Sequence, residues 1–214
     1  MHALIYSTSH IIASSTVTVA AHRVSNSWPW YIIRAAGFVA ALLLFLLMIS
    51  GIGQVTGYTY RFIEPIKAWT LHKALAIALC AAIAIHIGFL LIDHFVSFSL
   101  IQLFLPFANH YSNGTKVLGL PLAGIAVTLG ILAMYGVIIV VLSSLGWINT
   151  KKDKWRLLHY LSYLIVFFVF LHALYAGSDL KYGTFRSGWV FFGILLGLAI
   201  VSRLRRIGTT KNDD

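Results

Sequence analysis

Five apolar runs, each near the length a helix needs to cross a bilayer, leave this chain few ways to fold. They are roughly Tyr31–Ile52, His72–Ile92, Leu118–Leu145, Leu157–Ala176 and Gly188–Ser202, the last of them short. About 17–25 apolar residues span membrane hydrocarbon. There, every backbone N–H and C=O must be paired within the segment, which makes helices the expected form. Composition agrees: 59% of the 214 residues are hydrophobic and 10% charged, with mean hydropathy +0.87, outside the range of soluble globular domains. The connections hold Gly, Pro, Asn and charge, as turn regions do. The expected fold is all-α, a polytopic membrane helix bundle of five transmembrane helices, or six if the N-terminus adds one.

The N-terminus is the ambiguous part. HALIYSTSHIIASSTVTVAA mixes aliphatics with seven Ser or Thr residues and lacks the basic start and compact apolar core of a signal peptide. A sixth span, an interfacial helix and a disordered segment all stay open for it. The chain therefore divides into residues 1–30 of uncertain structure, a membrane domain over 31–202, and a short basic-then-acidic tail, 203–214. Trp28, Pro29, Trp30 and Tyr31 read as an aromatic belt at the outer interface.

A net charge of +10 would suggest nucleic acid in a soluble protein. Its distribution argues instead for topology. With five spans, Arg61, Lys67, Lys73, Lys151, Lys152, Lys154, Arg156, Arg203, Arg205, Arg206 and Lys211 fall on one side. Arg23, Arg34, Lys116, Lys181 and Arg186 fall on the other, eleven against five. By the positive-inside rule the first side is cytoplasmic and includes the C-terminus. No nucleic-acid partner is expected; membrane lipid is.

Two motifs carry nothing. Cys80 stands alone and cannot form an intrachain disulfide, and CxxCH for covalent heme is absent. GIGQVTG at Gly51–Gly57 misses the dinucleotide-binding spacing by one residue and has no strand before it. It reads as a flexible turn leaving the first span.

The histidines are different. WTLHKALAIALCAAIAIH and WRLLHYLSYLIVFFVFLH each carry an imidazole near either end of a membrane segment, where ionisable groups are costly and mark function. The 14-residue step from His72 to His86 rises roughly 21 Å along a helix, and the 13-residue step from His159 to His172 roughly 20 Å. Trp69 and Asp93 are 24 residues apart, as are Trp155 and Asp179; His86 and His172 each precede their aspartate by seven. Both helices run outward, so His72 should face His159 near the inner surface and His86 should face His172 near the outer. Two neutral imidazoles across a gap between helices suit the axial positions of a b-type heme. Zinc would need one cluster of four ligands, and a proton relay would need carboxylates within the spans. Structural histidines bonded across helices are the plainer alternative.

One difficulty follows from helix geometry. A 14-residue step returns to within roughly 40° of its starting face, whereas a 13-residue step misses by roughly 140°. An irregularity in the fourth span, between Tyr163 and Phe170, is therefore expected.

The His-x13-His and His-x12-His pairs resemble the ferric reductase-like transmembrane domain, which includes NADPH oxidases, yeast ferric reductases and short bacterial diheme proteins. WYIIRAAG, LHKAL, LPF at Leu105–Phe107, KWRLLHYLSY and LHALYAGSD resemble the bacterial branch. The likeness spans about Trp30 to Val201. More loosely, the chain is similar to the heme membrane subunit of the bacterial periplasmic methionine sulfoxide reductase system. The resemblance implies two heme b groups with His72, His86, His159 and His172 as iron ligands, and Arg34 near the outer heme beside a propionate or substrate. It implies electron transfer from a cytoplasmic-side donor to an outer acceptor, namely ferric ion, oxygen or a partner reductase, in a bacterial inner membrane. The oxidases and yeast reductases continue into FAD and NADPH domains, whereas this chain ends at RLRRIGTTKNDD. The expected donor is thus a separate flavoprotein reductase or a quinol.

Lys67, Lys73, Lys154 and Arg156 are inner-side candidates for pairing propionates or docking that donor, with plain positive-inside anchoring as the equal alternative, and Lys181, Arg186 and Lys116 are weaker outer ones. His2, His10, His22, His94 and His110 fall outside and lack ligand spacing. A heme-free membrane scaffold or transporter is the competing function class, against which stands the lack of broken helices and midplane charge.

Overall fold

A computed structural model describes residues 2–94, 96–114, 116–117 and 119–210, with side chains described for 27–94, 96–114, 116, 119, 122–203 and 205. Helix α1 runs His2–Val55 and contains the first candidate span, Ser27–Val55. Pro29 lies inside it and cannot donate the usual backbone hydrogen bond. The helix passes through Gly51 and Gly53 rather than turning there. The GIGQVTG turn begins only after Val55, at Gly57, whose φ of 75° is the left-handed backbone that glycine tolerates.

After a short 3-10 turn, Thr59–Arg61, Pro65 opens α2 (Pro65–Ile92). Its fixed φ and missing N–H suit a first helical position. Asp93 ends α2: its carboxylate is buried and accepts from the Val96 N–H at 2.9 Å. The loop that follows holds α3 (Leu100–Phe104), closed by a reciprocal Ser99–Gln102 cap. Two-residue strands β1 (Lys116–Val117) and β2 (Leu120–Pro121) then pair antiparallel, Lys116 opposite Pro121. Helices α4 (Leu122–Trp147), α5 (Lys152–His159), α6 (Leu161–Ala176) and α7 (Thr184–Thr210) complete the chain.

Among the described residues, five helical segments are long and apolar enough to cross a membrane: Ser27–Val55, Pro65–Ile92, Leu122–Trp147, Lys152–Ala176 and Thr184–Arg203. Their outward faces carry exposed apolar side chains such as Ile77, Leu142 and Phe191, which is how a lipid-facing surface is built. Packing is paired. Helix α1 lies along α2, and α4 along α6, while α2 meets α4 at few places and barely touches α6. Between the hairpins a small core of Leu44, Leu79, Ala133, Val137 and Ile165 draws one or two side chains from each of four helices.

The irregularity in the fourth span is real but misplaced by the sequence argument. Helix α6 is unbroken from Leu161 to Ala176, through the whole of Tyr163–Phe170. The break is at Tyr160, directly after His159, where α5 ends and the Tyr163 N–H bonds the Tyr160 carbonyl in a tighter turn. The reason lies in α5 itself. KDKWRLLH is a charged segment with no buried residue, which suits the interface, and the turn tightens where the apolar helix begins.

Candidate functional site

The structure brings the four span histidines together in two pairs. His72 on α2 faces His159 at the end of α5, ring centres 6.3 Å apart and planes tilted 42°. His86 on α2 faces His172 on α6 at 6.4 Å, planes at 87°. All four rings are partly buried.

At the second level the tautomers follow from the partners. His86 Nδ1 lies 2.9 Å from the Ile33 carbonyl of α1, and His172 Nδ1 lies 2.9 Å from the Ala126 carbonyl of α4. A carbonyl only accepts, so each Nδ1 must donate, which leaves each Nε2 with a free lone pair. His72 Nδ1 sits 3.4 Å from the Ser50 hydroxyl. His159 Nδ1 is buried and has no hydrogen-bond partner among the described residues. In each hairpin the neighbouring helix thus orients the histidine-bearing one.

Glycines make room for the rings. A Cβ at Gly37 would stand 3.3 Å from His86, and one at Gly51 would stand 3.4 Å from His72. At Gly130 it would meet His172 Nδ1 at 2.5 Å, which real contacts do not allow. Gly37 and Gly51 are 14 residues apart, the same interval as His72 and His86. That match in antiparallel neighbours was a readable signal that sequence reasoning missed.

Arg34 is also engaged. Its Nε donates to Asp179 Oδ2 at 2.7 Å and its Nη2 to Oδ1, a two-pronged ion pair that matches guanidinium to carboxylate geometry. Arg34 and Asp179, with Trp30, Trp189, His86 and His172, line a cavity of about 240 Å³. The loop between α2 and α4 closes part of it with Val96, Phe98 and Tyr111. That loop is tied down by Asn113 Nδ2 to the Tyr175 carbonyl at 2.8 Å and by Lys181 Nζ to the Asn113 carbonyl at 3.1 Å. Burial pushes the Tyr111 hydroxyl pKa up from its ordinary value.

The other basic candidates stand apart from the rings. Lys67 pairs with Glu64 at the surface, Lys73 lies 3.7 Å from the Trp69 ring centre, and Arg156 is 3.9 Å from Asp153. Lys154 and Lys116 are exposed, and Arg186 donates to the Leu180 carbonyl. His94 and His110 are exposed; the side chains of His2, His10 and His22 lie outside the described residues. Among the described residues, no three His, Cys, Asp or Glu side chains converge as a metal site.

Facing pairs without a cluster could hold a metal-bearing group that brings its remaining donors with it. An imidazole nitrogen lies about 2 Å from a metal it ligates, with the ring centre about 1.1 Å beyond, so rings on opposite faces stand roughly 6.2 Å apart. Both pairs fit that spacing.

The ferric reductase like transmembrane component family has a model that matches residues 36–171. The chain belongs to this family. Its domains are generally heme-binding, and membership makes transmembrane electron transfer the class of function. The matched region holds His72, His86 and His159; it begins two residues after Arg34 and ends one before His172. No curated protein and no solved structure matches the chain.

Proposed function

We propose that this ferric reductase-like chain carries electrons across the membrane through two b-type hemes, one between His72 and His159 and one between His86 and His172. The observation that supports this most directly is the pair of ring separations, 6.3 and 6.4 Å, repeated at two levels about 20 Å apart along the helices. When bound, heme iron supplies the one-electron redox change.

The chain's own residues do the rest. Ile33 and Ala126 carbonyls hold the rings of His86 and His172 in the tautomer that offers Nε2. Gly37, Gly51 and Gly130 let the rings of His86, His72 and His172 lie against the neighbouring helix. The apolar core between the levels keeps water out of the path. The basic side, with Lys151, Lys152 and Lys154, faces the cytoplasm under the positive-inside rule, so electrons pass from the His72 level to the His86 level. Arg34, clamped by Asp179 through Nε and Nη2, keeps its remaining guanidinium N–H groups beside the outer site, where they donate to a propionate or an incoming anionic acceptor. Residues 31–202 form this electron-transfer domain of a bacterial inner membrane protein. A flavoprotein reductase or a quinol supplies the electrons, and ferric ion, oxygen or a partner reductase takes them.

The deciding experiment is a dithionite-reduced minus oxidised spectrum of the purified protein with a pyridine hemochrome assay. The expectation is a sharp b-type α band and two hemes per chain. Protein that folds, inserts and carries no heme would refute the reading and return the chain to the scaffold or transporter class.

A further inference from the structure

One site histidine is held differently from the other three. His72, His86 and His172 each have Nδ1 near an oxygen of the adjacent helix, and each sits inside a continuous helix. His159 has a buried Nδ1 with no hydrogen-bond partner among the described residues. It is also the last residue of α5, immediately before the break at Tyr160. Its ring lies against Trp155, one turn earlier, with centres 5.1 Å apart and planes at 39°. Trp155 is itself fixed, its Nε1 donating to the Ser144 hydroxyl of α4 at 3.1 Å.

Ligating histidines nearly always anchor their second nitrogen, and that anchor fixes the ring and strengthens the ligand. A ring without one, at a helix end with an exposed segment behind it, can turn away about its own side-chain torsions. The outer pair has no such freedom: both rings are tied to backbone carbonyls and backed by glycine. Resting on the heme reading above, we infer that His159 is an exchangeable ligand, so that the inner site accepts a small neutral diatomic such as carbon monoxide while the outer site stays closed. In that exchange the bond from His159 Nε2 breaks and a bond to the carbon of carbon monoxide replaces it. No electron is gained or lost, and Trp155 sets how readily the ring departs.

The test is carbon monoxide added to dithionite-reduced, full-length protein, followed in the Soret band. The expected result is a shift of about half the heme, one site of two. No shift, or a shift of all the heme, overturns the inference. The double variant His86→Leu/His172→Leu, keeping only the inner site, should bind carbon monoxide on its remaining heme; His72→Leu/His159→Leu should not. Reversal of that pattern is equally fatal. Trp155→Ala should speed carbon monoxide binding in the otherwise native chain by about tenfold, and an unchanged rate would show that Trp155 does not restrain the His159 ring. If the double variants fail to insert, the half-or-none outcome in the native protein still decides. Heme present without a shift sinks this inference alone, whereas absence of heme sinks the reading beneath it.

Discussion

Gly130 shows how much of the site hangs on single atoms. It lies on α4 and has no chemistry of its own, yet one added methyl would overlap the His172 ring at 2.5 Å. The cheapest relief is for that ring to leave its hydrogen bond with Ala126, and the loss of such an anchor lowers metal affinity by about 10–100-fold. Gly130→Ala should therefore remove the outer heme and keep the inner one, halving the pyridine hemochrome value. Gly88→Ala, where nothing lies within 4 Å, should leave heme content unchanged and serves as the control. The four histidines were legible in the sequence because ionisable side chains in apolar runs stand out. Gly130 and the Asp179 partner of Arg34 were not, since a glycine or an aspartate gains meaning only once its opposing helix is known. Asp179 came closest to being seen, through its spacing of seven from His172.

At the scale of whole helices, α2 and the α5–α6 pair solve one problem in two ways. Helix α2 carries its histidines on one continuous run with a 14-residue step. The other side of the site has a 13-residue step and a tightened turn at Tyr160. An alanine inserted between Leu75 and Ala76 would rotate His72 by about 100° relative to His86. It should abolish the inner heme and spare the outer. The same insertion between Tyr160 and Leu161 falls where the backbone is already irregular, and should leave both hemes in place. Heme content and the separate spectral contributions of the two sites check both outcomes; equal damage from both insertions would show that the break is not the adjustable joint described here. The spans were readable to within a few residues, because lipid demands long apolar runs. Where the fourth would bend was readable too, had the charge in KDKWRLLH been weighed against the helical repeat.

Over the whole molecule, charge and topology govern how electrons arrive. The described residues form membrane helices and short loops, none with the strand–loop–helix architecture that cradles a nicotinamide cofactor. Hydride carriers deliver two electrons and hemes take one, so a flavin normally stands between them. The purified chain should thus not oxidise NADPH or NADH by itself, yet should be reduced by dithionite, a flavin reductase or a quinol. Lys151, Lys152 and Lys154 are exposed at the cytoplasmic end under the topology above. Neutralising all three should slow reduction by an acidic flavoprotein and flatten its dependence on salt, with heme content unchanged, because charge complementarity acts chiefly on encounter rates. Stoichiometric NADPH oxidation by the chain alone would overturn this picture.

The scant contact between α2 and α6 reaches further than electron transfer. Lipid tails exert no hydrophobic squeeze to close a seam between helices, so the two hairpins are joined chiefly by the small shared core and the Arg34–Asp179 pair, and anything bridging them adds to a short list of contacts. Under the proposed function, heme ligated from both sides would act as a rivet. The protein should accordingly be severable: a fragment ending in the loop after α3 and a second beginning before α4, co-expressed, should assemble into one spectrally native unit when heme is plentiful and drift apart when it is scarce. If the proposed hemes are present, heme supply should set the lifetime of the intact chain in the cell, with starved copies cleared faster by membrane proteases.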